Sequence, residues 1–387
     1  MTIRGGALIS IVLLFLRIDT NLLSAQVIRL PASDVALSSR PQVSFTVGVE
    51  DGRDWEVFAD VGDVAFDSKD NLYVLDRGNA RVVAFDSTGH FLRVFGRRGN
   101  GPGEFTIPQR MTVTRGDEVV VSDVARQAFS VFGLDGAFRR SVPYAQGWVM
   151  TGSKLAPHSR GGVVSFFLQG LGLGSSKARV LWQPLGHEAV VPLFTAPIGA
   201  TAFRSKPVFS PSTRFAVLPS GALAVASTEA YSVEIIGPNG SASRVLERAI
   251  KPRRVTARDQ QQEKERREAL ARPGGLTVVG PGASALPASA RAQIARQLQD
   301  VEFAAVIPVI QALEIDAEGN LWIQRAGPAL DRLGPIDIVT PQGRYVGTLA
   351  GVRLPTAFSA RGRAAYEETD ELGVVRVVVL RLPPRWR

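Results

Sequence analysis

Between Asp63 and Phe105 the chain alternates four times between a short apolar run and a cluster of turn-forming residues. The runs are Val64 to Phe66, Leu72 to Leu75, Arg81 to Phe85 and Phe91 to Phe95. The gaps are Ser68-Lys69-Asp70-Asn71, Asp76-Arg77-Gly78-Asn79 and Asp86-Ser87-Thr88-Gly89. Runs rich in β-branched and aromatic residues, broken by Asn, Asp, Gly and Ser, read as strands joined by hairpins. A second copy follows as Arg110 to Val113, Glu118 to Ser122, Ala128 to Phe132 and Phe138 to Val142. The first turn and second strand alone return at Gly161, Gly221 and Gly319, and more weakly at Gly362 to Tyr366. Asp70, Asp117 and Gly161 are spaced by 47 and 44 residues, and the wider gaps to Gly221 and Gly319 imply inserted loops. One such sheet cannot bury both of its faces alone. Six copies therefore predict an all-β fold, a six-bladed β-propeller of four-stranded antiparallel blades.

The best copy resembles a known repeat. Leu75-Asp76-Arg77-Gly78-Asn79-Ala80-Arg81-Val82, with Phe85-Asp86, Gly89, Phe95-Gly96 and Gly101-Pro102-Gly103-Glu104-Phe105, is similar to the NHL repeat of six-bladed, TolB-like propellers. In that family the Asp and Asn sit in the turn between second and third strands, and the Arg opens the third strand. The residue types fit, because Asp and Asn side chains bond turn backbone and Asp76 can pair with Arg81 across the hairpin. The resemblance is close over 63–105, fair over 110–142 and partial over 312–349. Blades three, four and six lack the Asp-x-x-Asn-x-Arg turn.

A ring of blades is closed by pairing one terminus with the other, which removes the free sheet edge. Val43 to Val47, or alternatively Val27 to Leu30, is expected to join the strand Val374 to Leu380. One stretch departs from the β pattern. At 256–303, between blades four and five, Thr256 and Asp259 form a capping-box pattern ahead of the polar run Asp259 to Leu270. A second run, Ala288 to Val301, places Ile294, Leu298 and Val301 on one face, after a Pro/Gly-rich link from Pro273 to Pro287. This helical insertion reads as a solvated surface element, with a lid or docking surface as the alternative.

The N-terminus reads as an export leader over residues 1–25. Arg4 precedes the ten-residue run Ala7 to Leu16, apolar apart from Ser10, and Leu23-Ser24-Ala25 offers a cleavage site before Gln26. Ten residues are too few for a bilayer, which takes roughly 20. Residues 26–387 are then the propeller, secreted or periplasmic, with no stable membrane insertion after cleavage. The chain has no cysteine, which excludes thiol catalysis, cysteine zinc sites and disulfides. Its net charge is +9, or +8 once Arg4, Arg17 and Asp19 leave with the leader. Apart from the helical stretch the basic residues are scattered, so nucleic acid is not an expected partner.

Catalytic motifs are missing. His90, His158 and His187 have no zinc-ligand spacing, and no G-x-S-x-G elbow marks a nucleophile. The Gly-rich stretches Gly96 to Gly103 and Gly170 to Gly174 do not match a phosphate loop. The acids Glu50, Asp51, Asp54, Glu56, Asp60, Asp63 and Asp70 cluster before and within the first blade. They read as turn and edge residues, with a Ca²⁺ site as the alternative. No cofactor, metal or catalytic residue is therefore assigned. Since first strands line the channel, residues at or before them are the expected ligand site: Asp63, Arg110, Trp148, Arg214, Gln311 and Thr356. Two arginines and a tryptophan at one mouth would suit an anionic or sugar-like ligand. The expected function is non-catalytic binding of a protein, peptide or glycan by a monomer. The alternative is a metal-dependent hydrolase or lyase, similar to the six-bladed gluconolactonases and streptogramin lyases.

Overall fold

The computed structural model describes residues 25–38, 41–169, 177–196, 207–238, 240–271 and 301–386. It contains six four-stranded antiparallel sheets, as the repeats predict. Blade 1 runs from Val61 to Phe95, blade 2 from Pro108 to Pro143, blade 3 from Trp148 to Ala196 and blade 4 from Thr213 to Glu247. Blade 5 runs from Ile310 to Leu349, and blade 6 joins Ala357–Phe358, Arg363–Thr369 and Val375–Arg381 to Gln42–Val47. The middle strands are apolar on both faces because a blade is sandwiched between two others. Leu72–Asp76 and Arg81–Phe85 are buried throughout, while the outer Phe91–Phe95 is mostly exposed. Separate apolar layers fill each junction. Met111 reaches blade 1, Phe215 meets Val164 and Trp182 of blade 3, and Val64 meets Val377 and Val379 of blade 6.

Six turns between first and second strands share one hydrogen-bond pattern. The residues opening them are Asp67, Thr114, His158, Leu218, Asp316 and Ser359, and each accepts from the amide three positions on. That third position holds a left-handed residue in every blade: Asp70, Asp117, Gly161, Gly221, Gly319 and Gly362. Glycine adopts this conformation freely, and Asp is among the few ordinary side chains that tolerate it. The turn's left-handed position thus explains the repeated Gly, and the Asp that replaces it in blades 1 and 2.

Closure uses the first of the two expected segments. Gln42–Val47 pairs antiparallel with Val375–Arg381, with Val47 opposite Val377. Gln26–Arg29 lies elsewhere, parallel to Ala242–Glu247 as a fifth strand of blade 4. Between them Ala36 bridges Thr348 of blade 5. The N-terminal segment therefore runs across the outer edges of blades 4, 5 and 6. A buried ionic cluster fastens it: Arg248 meets Asp337 at 2.8 Å and Asp34 at 2.7 Å, and Arg325 meets Asp34 at 2.8 Å.

The predicted polar helix spans Ala257–Ala271. Its capping box is reciprocal, with Thr256 N donating to Asp259 at 2.9 Å and Asp259 N donating to Thr256 Oγ1 at 3.2 Å. The leader before Ala25, the Gly170 to Gly174 loop and most of the second expected helical run lie outside the described residues. Among the described residues, no helix is long and apolar enough to cross a membrane.

Candidate functional site

The shared turn fixes a register for the channel-lining strands. Two residues before the turn-opening residue stand Ala65, Thr112, Ala156, Ala216, Glu314 and Ala357. Small side chains keep this layer open, with Glu314 as the exception. Four residues before stand Asp63, Arg110, Lys154, Arg214, Ala312 and Pro355. Four charges thus occupy one layer of blades 1 to 4, and Glu314 approaches them from the layer beneath.

Partners differ around this layer. Asp63 accepts from Val64 N at 3.1 Å and Met111 N at 3.3 Å. Burial pushes its carboxyl up to about 6, while the Arg110 guanidinium acts in the opposite direction. Arg110 donates to Gly62 O at 2.7 Å. Lys154 and Glu314 form an ion pair at 2.5 Å across the channel, spanning from blade 3 to blade 5. Burial raises the Glu314 carboxyl, and Lys154 opposes the rise. Lys154 reaches inward because the first strand of blade 3, Trp148–Pro157, shifts register between Met150 and Leu155.

Two cavities meet at the Lys154–Glu314 pair. The first, of about 390 Å³, opens at the face carrying the six turns and is lined by all six first strands. The second, of about 860 Å³, lies between blades 3 and 4 and extends to the first strand of blade 5. That volume falls within the range of small-molecule sites. Its apolar wall is formed by Phe166, Leu168, Phe194, Phe215 and Val225, and its polar groups include Ser212, Ser227, Glu234, Arg214 and Gln311. The Arg214 side chain makes no hydrogen bond or ion pair with a described residue. It is open to solvent through the cavity, yet the surrounding protein still desolvates it and lowers its pKa.

The six expected site residues do not share one mouth. Asp63 and Thr356 line the turn-side cavity, whereas Arg214 and Gln311 line the cavity between blades 3 and 4. Arg110 contacts blade 1 beside Asp63. Trp148 lines neither cavity; it packs into the junction of blades 2 and 3, with Arg179 over its ring at 5.6 Å. In the channel register the blade 3 residue is Lys154 rather than Trp148, because the bulge displaces the count from the strand start. Lys154, Glu314 and Glu234 were not among the expected residues. A charge at every fourth position before a turn in blades 1 to 4 is the sequence signal that marks the first of these.

The acidic cluster of blade 1 serves structure. Asp54 and Asp76 both hold Arg81, at 2.5 and 3.0 Å, and Asp60 holds Arg77 at 2.5 Å. Asp67 accepts from Lys69 N and Asn71 N in its own turn. Among the described residues no three His, Asp or Glu side chains gather as a metal site.

Comparison with known proteins agrees on the fold. The model of the DUF5128 family, described as a 6-bladed beta-propeller, matches residues 54–145. No protein of curated function matches the sequence. Among solved structures the chain is similar to a Bacteroides fragilis protein described as exported. The identity is 10%, with 92% of this chain and 99% of that one covered and a TM-score of 0.50. It is similar at 12% identity to a gluconolactonase of Xanthomonas campestris, covering 83% and 86% of the two chains at a TM-score of 0.44. A virginiamycin B lyase of Staphylococcus aureus matches at 9% identity, with 88% and 99% covered and a TM-score of 0.43. At these identities the likeness concerns architecture, and propellers host unrelated functions.

Proposed function

We propose that the protein is an exported propeller with NHL-like repeats, which binds a small ligand between blades 3 and 4 without transforming it. The observation that carries this reading is Arg214, an exposed guanidinium with no partner among the described residues, in the wall of a largely apolar cavity. A guanidinium without a protein partner beside an apolar wall offers a charge-assisted contact to an anionic group on an apolar ligand. The NHL assignment is supported by the turn of blade 1, where Asp76 receives Asn79 Nδ2 at 2.7 Å and Arg81 Nε at 3.0 Å. Export rests on the apolar run behind Arg4.

The test is saturation binding of 1-anilinonaphthalene-8-sulfonate, an anion with an apolar body, to the mature chain. Saturable fluorescence enhancement is expected, weakened by Arg214→Ala and abolished by Phe194→Arg. Enhancement that is absent, or indifferent to both variants, would remove the reading. A second reading is favoured by Asp63, whose carboxyl at about 6 in the turn-side cavity suits general acid–base work. Under that reading the protein is a hydrolase or lyase. Its melting temperature would then rise saturably with Ca²⁺, Mg²⁺ or Mn²⁺ if the chemistry depends on a metal.

A further inference from the structure

We propose that the face carrying the six first turns is a docking surface for an acidic protein segment, held by a rim of cations that runs over blades 6, 1, 2 and 3.

The rim follows from the shared turn, which gathers basic residues that are scattered along the sequence. The residue just before the left-handed position is Arg361 in blade 6, Lys69 in blade 1 and Arg160 in blade 3. Blade 2 carries Arg115 one position earlier, where it lines the channel cavity that opens on this face. Blades 4 and 5 present Ser220 and Glu318 instead. All four cations are exposed, and the side chains of Lys69, Arg115 and Arg361 have no hydrogen bond or ion pair with a described residue. The Arg160 guanidinium lies over Trp182 at 3.9 Å, which steadies it without neutralising it. The acids of these turns face inward, apart from Glu318. Asp67, Asp70 and Asp316 are buried, and Asp117 is taken up by Ser68, whose Oγ donates to it at 2.6 Å. His158, which opens the blade 3 turn, registers the resulting field: burial lowers its pKa first, and Arg160 and Arg115 lower it further.

The makeup of the rim selects among anionic partners. Docking on a bilayer draws on apolar side chains that enter the interface, and none of the exposed large apolar residues lies in the six turns. A sugar chain packs on open aromatic faces, and the one ring within the turns, His158, is buried. What the turns offer is one guanidinium or ammonium per blade, the means by which acidic peptide segments are recognised. Packed sheets stand about 10 Å apart, so four adjacent blades cover about 30 Å, close to nine residues of extended chain at about 3.3–3.6 Å each. Glu318 of blade 5 repels such a segment and confines it to the cationic side of the ring.

The test is fluorescence anisotropy of fluorescein-labelled decaglutamate titrated with the full mature protein. Saturable binding is expected at low salt and should weaken as salt rises, because exposed charges are screened. Lys69→Glu, Arg160→Glu and Arg361→Glu should each weaken it by about three- to tenfold. Lys251→Glu makes the same charge change at an exposed residue beyond the far end of blade 4, and should weaken it by less than about twofold. Unchanged melting temperatures of these surface variants would tie the losses to the rim. Binding that is absent, indifferent to the three rim variants or weakened equally by Lys251→Glu overturns the proposal. So does binding to phosphatidylglycerol vesicles or to heparin when the peptide does not bind.

Discussion

Asp337→Asn is the most informative perturbation of the fold. Its carboxylate is completely buried, and it accepts from Arg248 Nη1 at 2.8 Å and from Thr348 Oγ1 at 2.5 Å. Arg325 Nε stands 3.2 Å away. The Arg248 side chain is itself fully buried, so removing the negative charge leaves a guanidinium with only Asp34 as an acidic partner. Breaking a buried pair from one side costs about 3–5 kcal/mol. For the roughly 360 residues from Gln26 onward, an unfolding entropy of about 2.1 cal/mol/K per residue converts this to a fall of about 4–7 °C in melting temperature. Thermal unfolding followed by circular dichroism measures it. Arg248→Met combined with Asp337→Leu removes both charges together and should cost less than the two single changes summed, by about 0.5–3 kcal/mol. A fall below 1 °C for Asp337→Asn, or strict additivity in the double variant, would refute the claim that this cluster holds the N-terminal segment in place.

Two further outcomes are expected. The raised Asp63 carboxyl keeps its proton longer in the folded than in the unfolded chain, so its contribution is fully present below about 3.8 and lost as pH climbs through about 6. The full loss is at most about 3 kcal/mol, lessened by channel water, and Asp63→Asn should therefore gain stability over the native chain at pH 7.5 but not at pH 4; an equal difference at both pH values would contradict this. Asp259→Ala removes the capping box and the Arg253 contacts at 2.7 and 2.9 Å, which should cost about 1–2 kcal/mol locally. Hydrogen exchange should quicken across Ala257–Ala271 while the blades stay protected, and unchanged exchange in the helix would count against that role.

Much of the architecture was legible because each blade repeats the same local chemistry. The left-handed position of the first turn demands Gly or a tolerant Asp, and that demand recurs at Asp70, Asp117, Gly161, Gly221, Gly319 and Gly362. The Asp76–Arg81 pair and the Thr256–Asp259 cap follow from contacts a few residues apart. The site was harder to read because it depends on contacts between distant blades. Asp63, Arg110 and Arg214 fell on the channel register, but Lys154 was hidden by the bulge in Trp148–Pro157. Its partner Glu314 lies 160 positions away. Glu234 sits in an ordinary alternating strand, and only the cavity beside it singles it out. The parallel pairing of Gln26–Arg29 with blade 4 likewise leaves no signature in either strand alone.

The path of the N-terminal segment sets the order in which this molecule can be completed. Gln26–Val47 is synthesised before any blade, yet its pairing partners lie in blades 4, 5 and 6. While the chain is being made, this segment has nothing to pair with until Arg248, Thr348 and Val375–Arg381 have followed it. This segment, made ahead of every blade, is therefore among the last to be satisfied. The closing step joins ends more than three hundred residues apart, a long loop whose entropy must be met before the ring gains its final contacts. Blades 1 and 2, bound by neighbouring hairpins, can form early, and the seam at blade 6 decides when the whole becomes resistant to unfolding.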